Sequence, residues 1–288
     1  MDINKRTALI DADVLRYEIG SVGEYDDKET GEHIIRDFDL VKQMFSDRIE
    51  QIKTGSGSTD AILYITADRA TYKIAERNGL VRGGYQPNFR EALAEGKIYK
   101  GTRKQDKPFH WVNLTAHILS LPDVVVANGS EADDYIAIEG HRNNSKIICT
   151  RDKDLRMVPG LHYGWECGRQ PEFGPVEYDA LGKIELIRSK SGNKIKGGGF
   201  KFFGAQLLTG DVVDNIGGLR GVGPVKAAEL LSHLSSEREV FDTVRHYYEE
   251  VAGDDWKKLL TEQCGLLWIV RERNEDGTLK HFNIEEWL

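Results

Sequence analysis

Short apolar runs that end in acidic residues recur along the first half of the chain. "TALIDAD" (7–13) and "DAILYITAD" (60–68) are two of them; "PDVVVANGSEADDYIAIEG" (122–140) and "SKIICTRDKDL" (145–155) repeat the pattern. Apolar runs of this length, bounded by polar residues, predict buried strands, and the segments between them have helical patterning. Strands that alternate with helices predict an α/β domain with a mainly parallel central sheet flanked by helices.

The acidic residues stand where the predicted strands end. Asp11, Asp68 and Asp152 each fall at or just beyond such an end. Ligands of parallel sheets gather at the carboxyl ends of the strands, so these three side chains are expected at one edge of the sheet.

A further acidic group opens a predicted helix. Ser130 is the expected helix N-cap, and Asp133 three residues later closes a weak capping box. Glu131 and Asp134 share a face of this helix. The helix dipole favours acids in a first turn in any case. Taken alone, Glu131, Asp133 and Asp134 are therefore better explained as cap residues than as metal ligands.

The second half of the chain has a different pattern. "FKFFGAQLLTG" (200–210) predicts a helix, "GLRGVG" (218–223) a tight turn and "PVKAAELL" (224–231) a second helix that starts at a proline. Glycines at 221 and 223 allow backbone N–H groups to approach a phosphate, and the helix N-terminus favours an anion. The alternative is a glycine-rich turn that merely caps a core helix.

A glycine- and lysine-rich segment, "SKSGNKIKGGG" (189–199), predicts a loop or linker. We therefore place a domain boundary there, with one domain over residues 1–196 and a second over 197–288. "REVFDTVRHYYEEV" and "DDWKKLLTEQCGLLWIV" predict two amphipathic helices in the second domain.

The distribution of charged residues along the chain matters more than the net charge. The net charge of −8, from 39 basic and 47 acidic residues, by itself argues against a nucleic-acid partner. Basic residues are nevertheless concentrated in segments 97–107 and 183–201. A chain with this distribution can use its acids for metal and its bases for phosphates, although each basic run also fits an ordinary solvated loop.

Compartment and assembly follow from what the sequence lacks. It has no signal-peptide pattern and no apolar run of the roughly 20 residues that span a bilayer. Its three scattered cysteines form no C-x-x-C pair, so they are expected to be buried small hydrophobic residues. We expect a cytoplasmic protein, of a bacterial cell or an infected host, with no membrane partner, and a monomer by default.

The acidic residues at strand and helix ends make an oxygen-rich set of candidate metal ligands. Hard oxygen donors without clustered Cys or His suit Mg²⁺ or Mn²⁺, and two such ions form the usual clamp on a phosphodiester. The candidate ligands are Asp11, Asp68, Glu131, Asp133, Asp134, Asp152, Asp154, Asp211 and Asp214.

Three motifs in this order resemble the 5′-nuclease superfamily: "GSEADD", "TRDKDL" and "TGDVVDNIGGLRGVGPVKAAELL". That family includes flap endonucleases, bacteriophage 5′–3′ exonucleases and the 5′-nuclease domain of bacterial DNA polymerase I. The resemblance covers roughly Ala8 to Leu231, and the chain length is similar to that of the stand-alone phage enzymes. It implies a PIN-like catalytic domain, a helix–hairpin–helix region and a two-metal-ion mechanism.

The resemblance also assigns roles to residues. It implies that the nine acids bind the metal pair. Two of them, Asp211 and Asp214, would reach the metals from beside the helix–hairpin–helix. Within "YKGTRK" (99–104), Lys100 and Arg103 would contact the scissile phosphate, and Tyr99 would stack on a terminal base. Lys104, Gly221, Gly223 and Lys226 are the remaining expected DNA-binding residues. The hairpin of this family can also bind K⁺ through backbone carbonyls, here around residues 219–223.

One segment departs from the family pattern. About thirty residues separate Asp68 from Tyr99, more than we expect in the phage enzymes, and this segment predicts an extra helix or hairpin.

The resulting hypothesis is a structure-specific 5′–3′ exonuclease or flap endonuclease that hydrolyses DNA at 5′ ends, nicks or flaps. An RNA–DNA hybrid stays open as a substrate. Two alternatives are kept: a non-catalytic helix–hairpin–helix DNA-binding protein, and a PIN-like ribonuclease or RNase H-type nuclease.

Overall fold

The chain folds into two compact units that interleave along the sequence. The computed structural model describes residues 5–102, 106–190 and 192–288. The first unit takes the described parts of 1–88, 105–152 and 160–177, and the second those of 89–104, 153–159 and 178–288. This division follows contacts rather than sequence order, and the predicted domain boundary between residues 196 and 197 stays a prediction.

Helices and strands are numbered in chain order. The strands are β1 (Thr7–Asp11), β2 (Glu24–Asp26), β3 (His33–Ile35), β4 (Asp60–Thr66), β5 (Val124–Ala127), β6 (Lys146–Cys149), β7 (Gly160–Gly164), β8 (Phe173–Tyr178), β9 (Ile184–Ile187), β10 (Lys194–Gly197), β11 (Gly210–Asp211) and β12 (Ile216–Gly217). The helices are α1 (Ala12–Val22), α2 (Phe38–Ser56), α3 (Arg69–Arg77), α4 (Phe89–Leu93), α5 (Trp111–Ile118), α6 (Ala132–Gly140), α7 (Gly199–Thr209), α8 (Pro224–Leu231), α9 (Glu237–Ala252) and α10 (Trp256–Leu267).

A six-stranded sheet in the order β5-β4-β1-β6-β7-β8 is the centre of the first unit. β1 pairs in parallel with β4 and β6, β4 with β5, and β6 with β7. Leu9 and Ile10 point to opposite faces of β1, and both are fully buried. Burial on both faces explains why the strands are continuous apolar runs, and the predicted α/β class with a mainly parallel sheet is confirmed.

Helix α6 begins one residue later than the sequence predicts. Its N-cap is Glu131, whose partner in the capping box is Asp134. The predicted cap, Ser130, is wrong: its hydroxyl is buried and has no hydrogen-bond partner among the described residues. An extended turn after β5 moves the first helical residue to Ala132, because Thr66 of β4 accepts the backbone N–H of that residue.

The second unit is organised around α7. Residues 199 to 208 of this helix are all buried, which explains why its sequence is apolar on every side. Helices α8, α9 and α10 each contact α7. The two predicted amphipathic helices are confirmed as α9 and α10.

The segment predicted as a linker is a hairpin instead. β10 lies within "SKSGNKIKGGG" and pairs antiparallel with β9. Alternation of Ile195 with Lys194 and Lys196 gives β10 one apolar side that packs on the core of the second unit, and this packing outweighs the glycines.

The long segment after Asp68 holds two helices, one in each unit. In α3, Tyr72 and Ala75 enter the core of the first unit. In α4, the guanidinium of Arg90 is buried and donates to the backbone carbonyls of Leu266 and Trp268 at the end of α10. The predicted extra helix is therefore present.

Two expectations from composition can be compared with the structure. Cys149 and Cys264 are buried, as predicted, whereas Cys167 is half-buried; all three are free thiols. Within the described residues, no helix combines the length and apolar character needed to cross a membrane.

Helices α7 and α9 pack so closely at Gly204 that the position has no room for a larger residue. A Cβ at this position would lie 2.6 Å from Val240 Cγ1. We expect Gly204→Ala to lower the free energy of unfolding by about 1–3 kcal/mol, because overpacking outweighs the better helix propensity of alanine. Urea unfolding followed by tryptophan fluorescence measures this. Gly96→Ala, which meets nothing within 4 Å, is the control, and equal stabilities of the two variants would contradict the packing argument.

Candidate metal and phosphate sites

Asp11 is the buried centre of the acidic edge of the first unit. It ends β1, caps α1 and is 2% exposed. Its Oδ1 accepts the backbone N–H groups of Asp13 (3.1 Å) and Val14 (3.2 Å), and its Oδ2 accepts the hydroxyl of Thr150 (2.8 Å). All three donors are neutral, so these hydrogen bonds stabilise a negative charge on Asp11 without neutralising it.

Burial therefore dominates the ionisation of Asp11. Loss of water, then the charge of Asp13 and to a smaller degree that of Asp152, raises the pKa of Asp11 from 3.8 to about 7, against the opposing hydrogen bonds from Thr150 and Val14. A carboxylate held in this way gains from any nearby cation.

Asp13 is tied to two elements at the same edge. Its Oδ2 accepts the backbone N–H of Thr66 at the end of β4 (3.0 Å), and its Oδ1 pairs with Arg16 (2.9 Å). Arg16 is buried, donates to Thr115 (2.9 Å) and lies 3.6 Å over the ring of Trp111. Burial lowers the pKa of Arg16, against the opposing charges of Asp13 and other acids.

Asp68 is the half-exposed member of this edge. It caps α3 by accepting the backbone N–H of Thr71 (2.7 Å), and Lys107 Nζ lies 3.1 Å from its other oxygen. Burial alone would raise the pKa of Asp68, but the hydrogen bonds from Thr71 and Lys107 outweigh it and lower the pKa.

Asp152 follows β6 at the same edge. The Thr150 hydroxyl that donates to Asp11 accepts the backbone N–H of Asp152 (2.9 Å), so one side chain links both acids. β1, β4 and β6 are parallel neighbours, so the predicted common edge for Asp11, Asp68 and Asp152 is confirmed. We call Asp11, Asp13, Asp68 and Asp152 the sheet-edge acids.

The acids of α6 begin at the same end of the sheet, after β5. Glu131 is the N-cap, and Asp134 is fully buried and accepts the backbone N–H of Glu131 (3.2 Å). Asp133 lies half-buried in the first turn. The capping role of Glu131 and Asp134 is therefore real, and metal binding by Glu131, Asp133 and Asp134 stays a prediction.

A second acidic group lies within the second unit. Lys153 Nζ contacts Asp211 Oδ2 at 2.5 Å and Asp154 Oδ1 at 3.3 Å. The amide of Gln206, from the middle of α7, also donates to Asp154 (2.7 Å) and Asp211 (3.3 Å). Burial would lower the pKa of Lys153, but Asp154 and Asp211 outweigh it and raise the pKa.

Asp214 lies in the loop between β11 and β12. Its Oδ2 accepts the hydroxyl of Tyr99 (3.3 Å) and lies 3.9 Å from Lys100 Nζ. Tyr99 is half-buried against the core of the second unit, and Lys100 lies 5.0 Å over its ring. These contacts place Tyr99 and Lys100 beside Asp214, while their predicted roles toward a substrate stay predictions.

The glycine turn before α8 is open to solvent on its outer side. Gly221 has φ of +82°, and Gly223 is the extended N-cap of α8; a Cβ at either would meet nothing within 4 Å. Val222 between them is buried and anchors the turn. Pro224 occupies the first turn of the helix, as predicted, and Lys226 is exposed on it.

Two predicted residues cannot be placed. Arg103 and Lys104 lie outside the described residues. The predicted union of Asp154, Asp211 and Asp214 with the acids of the first unit in one site also stays a prediction.

The described residues hold no group of three His, Cys, Asp or Glu side chains already arranged around one metal position. Their carboxylates are instead engaged by side-chain cations and hydroxyls, such as Arg16, Lys107 and Thr150. The donor set still fits a hard divalent cation, because it is all oxygen and because a cation would stabilise the charged form of Asp11 that burial and its acidic neighbours disfavour. Binding would require these side chains to exchange their present partners for the ion.

The residues that balance the acids were not predicted from the sequence. Arg16 stands three residues after Asp13, and Lys153 stands between Asp152 and Asp154, so both had a local signal. Gln206 and Thr150 had none, since their partners in the acidic groups are decided by packing of α7 and by the pairing of β1 with β6.

Comparisons with known proteins find similarity among solved structures only. No family model matches the chain, and no curated protein does. Similar solved structures include the T5 5′-exonuclease with bound zinc, at 12% identity and a TM-score of 0.48, covering 92% of this chain and 100% of that one. A bacteriophage T5 protein co-crystallised with metal ions has 11% identity and a TM-score of 0.47, with the same coverages.

A third similar structure is a bacteriophage T5 flap endonuclease in complex with DNA and metal ions. It has 11% identity and a TM-score of 0.40, covering 91% of this chain and 99% of that one. Identities and TM-scores this low carry no function over to this chain, whose own residues must supply the reasons for any assignment.

Titration of Asp11 predicts how stability depends on pH without divalent metal. Because folding raises its pKa from 3.8 to about 7, its contribution to stability is fully present below pH 3.8 and is lost as the pH rises through 7. Asp11→Asn removes this titration. We therefore expect the unfolding free energy of the variant, relative to that of the parent, to increase across this window in EDTA.

The measurement is urea unfolding at a series of pH values. Thr150→Val serves as a second variant: loss of the hydroxyl that lowers the pKa of Asp11 should move the window to higher pH. Parallel pH profiles for the parent and Asp11→Asn would contradict the assignment.

Proposed function

We propose that the chain is a metal-dependent 5′ nuclease that hydrolyses DNA, of the 5′-nuclease superfamily that its motifs resemble, with the first unit as a PIN-like catalytic domain. The observation that carries the proposal is geometric: the carboxyl group of Asp11 is buried at the end of β1, beside Asp13, and Thr150 links it to the backbone of Asp152. The helix caps and the pairs with Arg16 and Lys107 account for part of this arrangement, but they give no reason to bury Asp11 among other acids. A site that binds cations gives that reason.

Divalent ions fit this acidic edge. We assign them to the sheet-edge acids together with Glu131, Asp133 and Asp134, and Mg²⁺ or Mn²⁺ matches these oxygen donors. When bound, a pair of such ions supplies a hydroxide nucleophile at neutral pH and stabilises the leaving oxygen. By the motif match, Asp154, Asp211 and Asp214 serve the same reaction.

The side chains of the protein have separate tasks in this proposal. Asp11 and Asp152 supply carboxyl oxygens for the ions, and Thr150 holds the side chain of Asp11 and the backbone of Asp152. Lys100 offsets negative charge that develops on the phosphate, and Asp214 keeps its ammonium in place until substrate binds. Arg103 is assigned the same task by the motif match alone.

The glycine turn of the second unit supplies the contact with the DNA backbone. Its open outer side and the N-terminus of α8 suit a phosphate, as in a helix–hairpin–helix. Such a contact positions duplex DNA without reading sequence. A K⁺ bound by carbonyls of residues 219–223 and cleavage of the RNA strand of a hybrid are finer parts of the proposal.

The first test is cleavage of a duplex labelled at its 5′ end, with nicked and flapped forms alongside, in Mg²⁺ and in EDTA. We expect cleavage in Mg²⁺ only, and Asp152→Asn should reduce its rate by roughly 100-fold or more through loss of metal binding.

Asp60→Asn is the matched control, because Asp60 is an exposed acid at the opposite end of β4. It should cleave at the parental rate. Cleavage that persists in EDTA would contradict the metal mechanism, and binding of DNA without cleavage of any substrate would favour the non-catalytic alternative. Faster cleavage of a matched RNA 5′ strand would favour the ribonuclease alternative.

Gly223 gives a second test, one that separates phosphate binding from folding. Its backbone is extended and the space beside it is open, so Gly223→Ala should lower the unfolding free energy by no more than about 1 kcal/mol, the usual cost of a poorer helix N-cap. The added methyl group would stand where we place the phosphate, and we expect affinity for duplex DNA to fall roughly tenfold.

Fluorescence anisotropy in EDTA with a labelled blunt duplex measures this affinity. Unchanged affinity would show that the turn merely caps α8, which is the alternative that the sequence leaves open.

A further inference from the structure

The hairpin formed by β9 and β10, with its flanking residues 183 and 188–190, carries a concentration of positive charge; we call it the basic hairpin. The two strands pair antiparallel, with Leu186 opposite Ile195 and Glu185 opposite Lys196. Paired residues of an antiparallel ladder point to the same side, so the hairpin has one apolar side and one side on which Lys194 and Lys196 lie with Ile187 and Glu185.

The apolar side anchors the basic hairpin to the second unit. Ile184 and Ile195 pack against its core, and both strands contact α8. The hairpin is therefore held in a fixed position on the same helix that begins at the glycine turn.

The other side and the turn are strongly basic. Five cations are exposed, and Glu185 is the only acid between residues 183 and 197, in a chain whose net charge is −8. The exposed cations are Lys183, Arg188, Lys190, Lys194 and Lys196.

These cations differ from Lys257 and Lys280, two exposed lysines of the same unit. Lys257 pairs with Glu285 at 2.8 Å, and Lys280 pairs with Glu272 at 2.9 Å. Among the residues that the structure describes, none of the five cations forms an ion pair, and Lys196 forms none even with Glu185 across the ladder. A run of exposed like charges without ion-pair partners makes a local positive potential that attracts an anionic partner, most strongly at low salt.

The composition of the hairpin indicates which polyanion it fits. Residues 183–197 contain no aromatic residue, whereas single-strand binding depends on aromatic stacking platforms. Lysine and arginine side chains are typical of contacts with the phosphates of a duplex, which position the protein without reading bases. Helix α8, which contacts both strands of the hairpin, carries a further exposed cation, Lys226.

We propose that the basic hairpin binds the phosphate backbone of duplex DNA, as a contact additional to the glycine turn. The choice of DNA as the polyanion rests on the proposed function, but the contact does not depend on catalysis. It gives an acidic protein a local positive surface for a substrate that its net charge would repel.

The test compares two double variants of the full chain in EDTA, so that no cleavage occurs. Lys194→Gln with Lys196→Gln removes two charges from the basic hairpin. Lys257→Gln with Lys280→Gln is the matched control, since it removes two exposed lysines that are paired within the protein. Affinity for a blunt DNA duplex is measured by fluorescence anisotropy over a range of salt concentrations.

Loss of two phosphate contacts should make the plot of log K against log salt concentration shallower by about 1.8, from about 0.9 per contact. At low salt we expect affinity to fall roughly tenfold for the hairpin variant and to stay unchanged for the control. Equal melting temperatures of the two variants would show that both are folded.

An unchanged slope would overturn the proposal, and so would an equal change in the control, which would indicate a general charge effect. A larger loss on a single strand of the same sequence than on the duplex would also overturn it. Failure here with metal-dependent cleavage intact leaves the nuclease proposal standing. A shallower slope in a protein that cleaves nothing supports the hairpin contact and contradicts the nuclease.

Discussion

The burial of one carboxylate, that of Asp11, is the constraint from which the organisation of the first unit follows. The residue ends the central strand β1, caps α1 and is held by Thr150 of the segment after β6. Because charge in a low-dielectric interior is costly, these hydrogen bonds are needed for the sheet to carry an acid at this point. The same burial makes the carboxylate a strong partner for a cation.

The acids around Asp11 are kept together by a mixture of neutral donors and fixed cations. Arg16 is buried beside Asp13 and stacks on Trp111, while Lys107 reaches the half-exposed Asp68. A guanidinium sandwiched in this way is rigid, whereas a lysine at the surface exchanges partners easily. The edge is therefore fixed near Asp13 and adaptable near Asp68.

The second unit solves a different problem with the same means. A helix that is apolar all round, α7, forms its core, and one polar residue in that helix, Gln206, is aimed at Asp154 and Asp211. The helix thereby holds acids that lie on both sides of it in sequence. The glycine turn forms the start of α8, and the basic hairpin contacts the same helix. One short helix therefore connects the two surfaces that we propose to bind phosphate.

The sequence by itself determined the elements and the kinds of chemistry. Buried strands that end in or just before Asp11, Asp68 and Asp152, and the helices on either side of the Gly221 turn, follow from local periodicity, from the backbone freedom of glycine and from the fixed φ of proline. Local patterns reach only a few residues, however. The helix cap lies at Glu131 instead of Ser130 because of a hydrogen bond to Thr66 of another strand. Strand β10 forms because Ile195 packs against the core of the second unit. Only the tertiary structure decided these, along with the partners of the acids, because each requires contact between residues far apart in the chain.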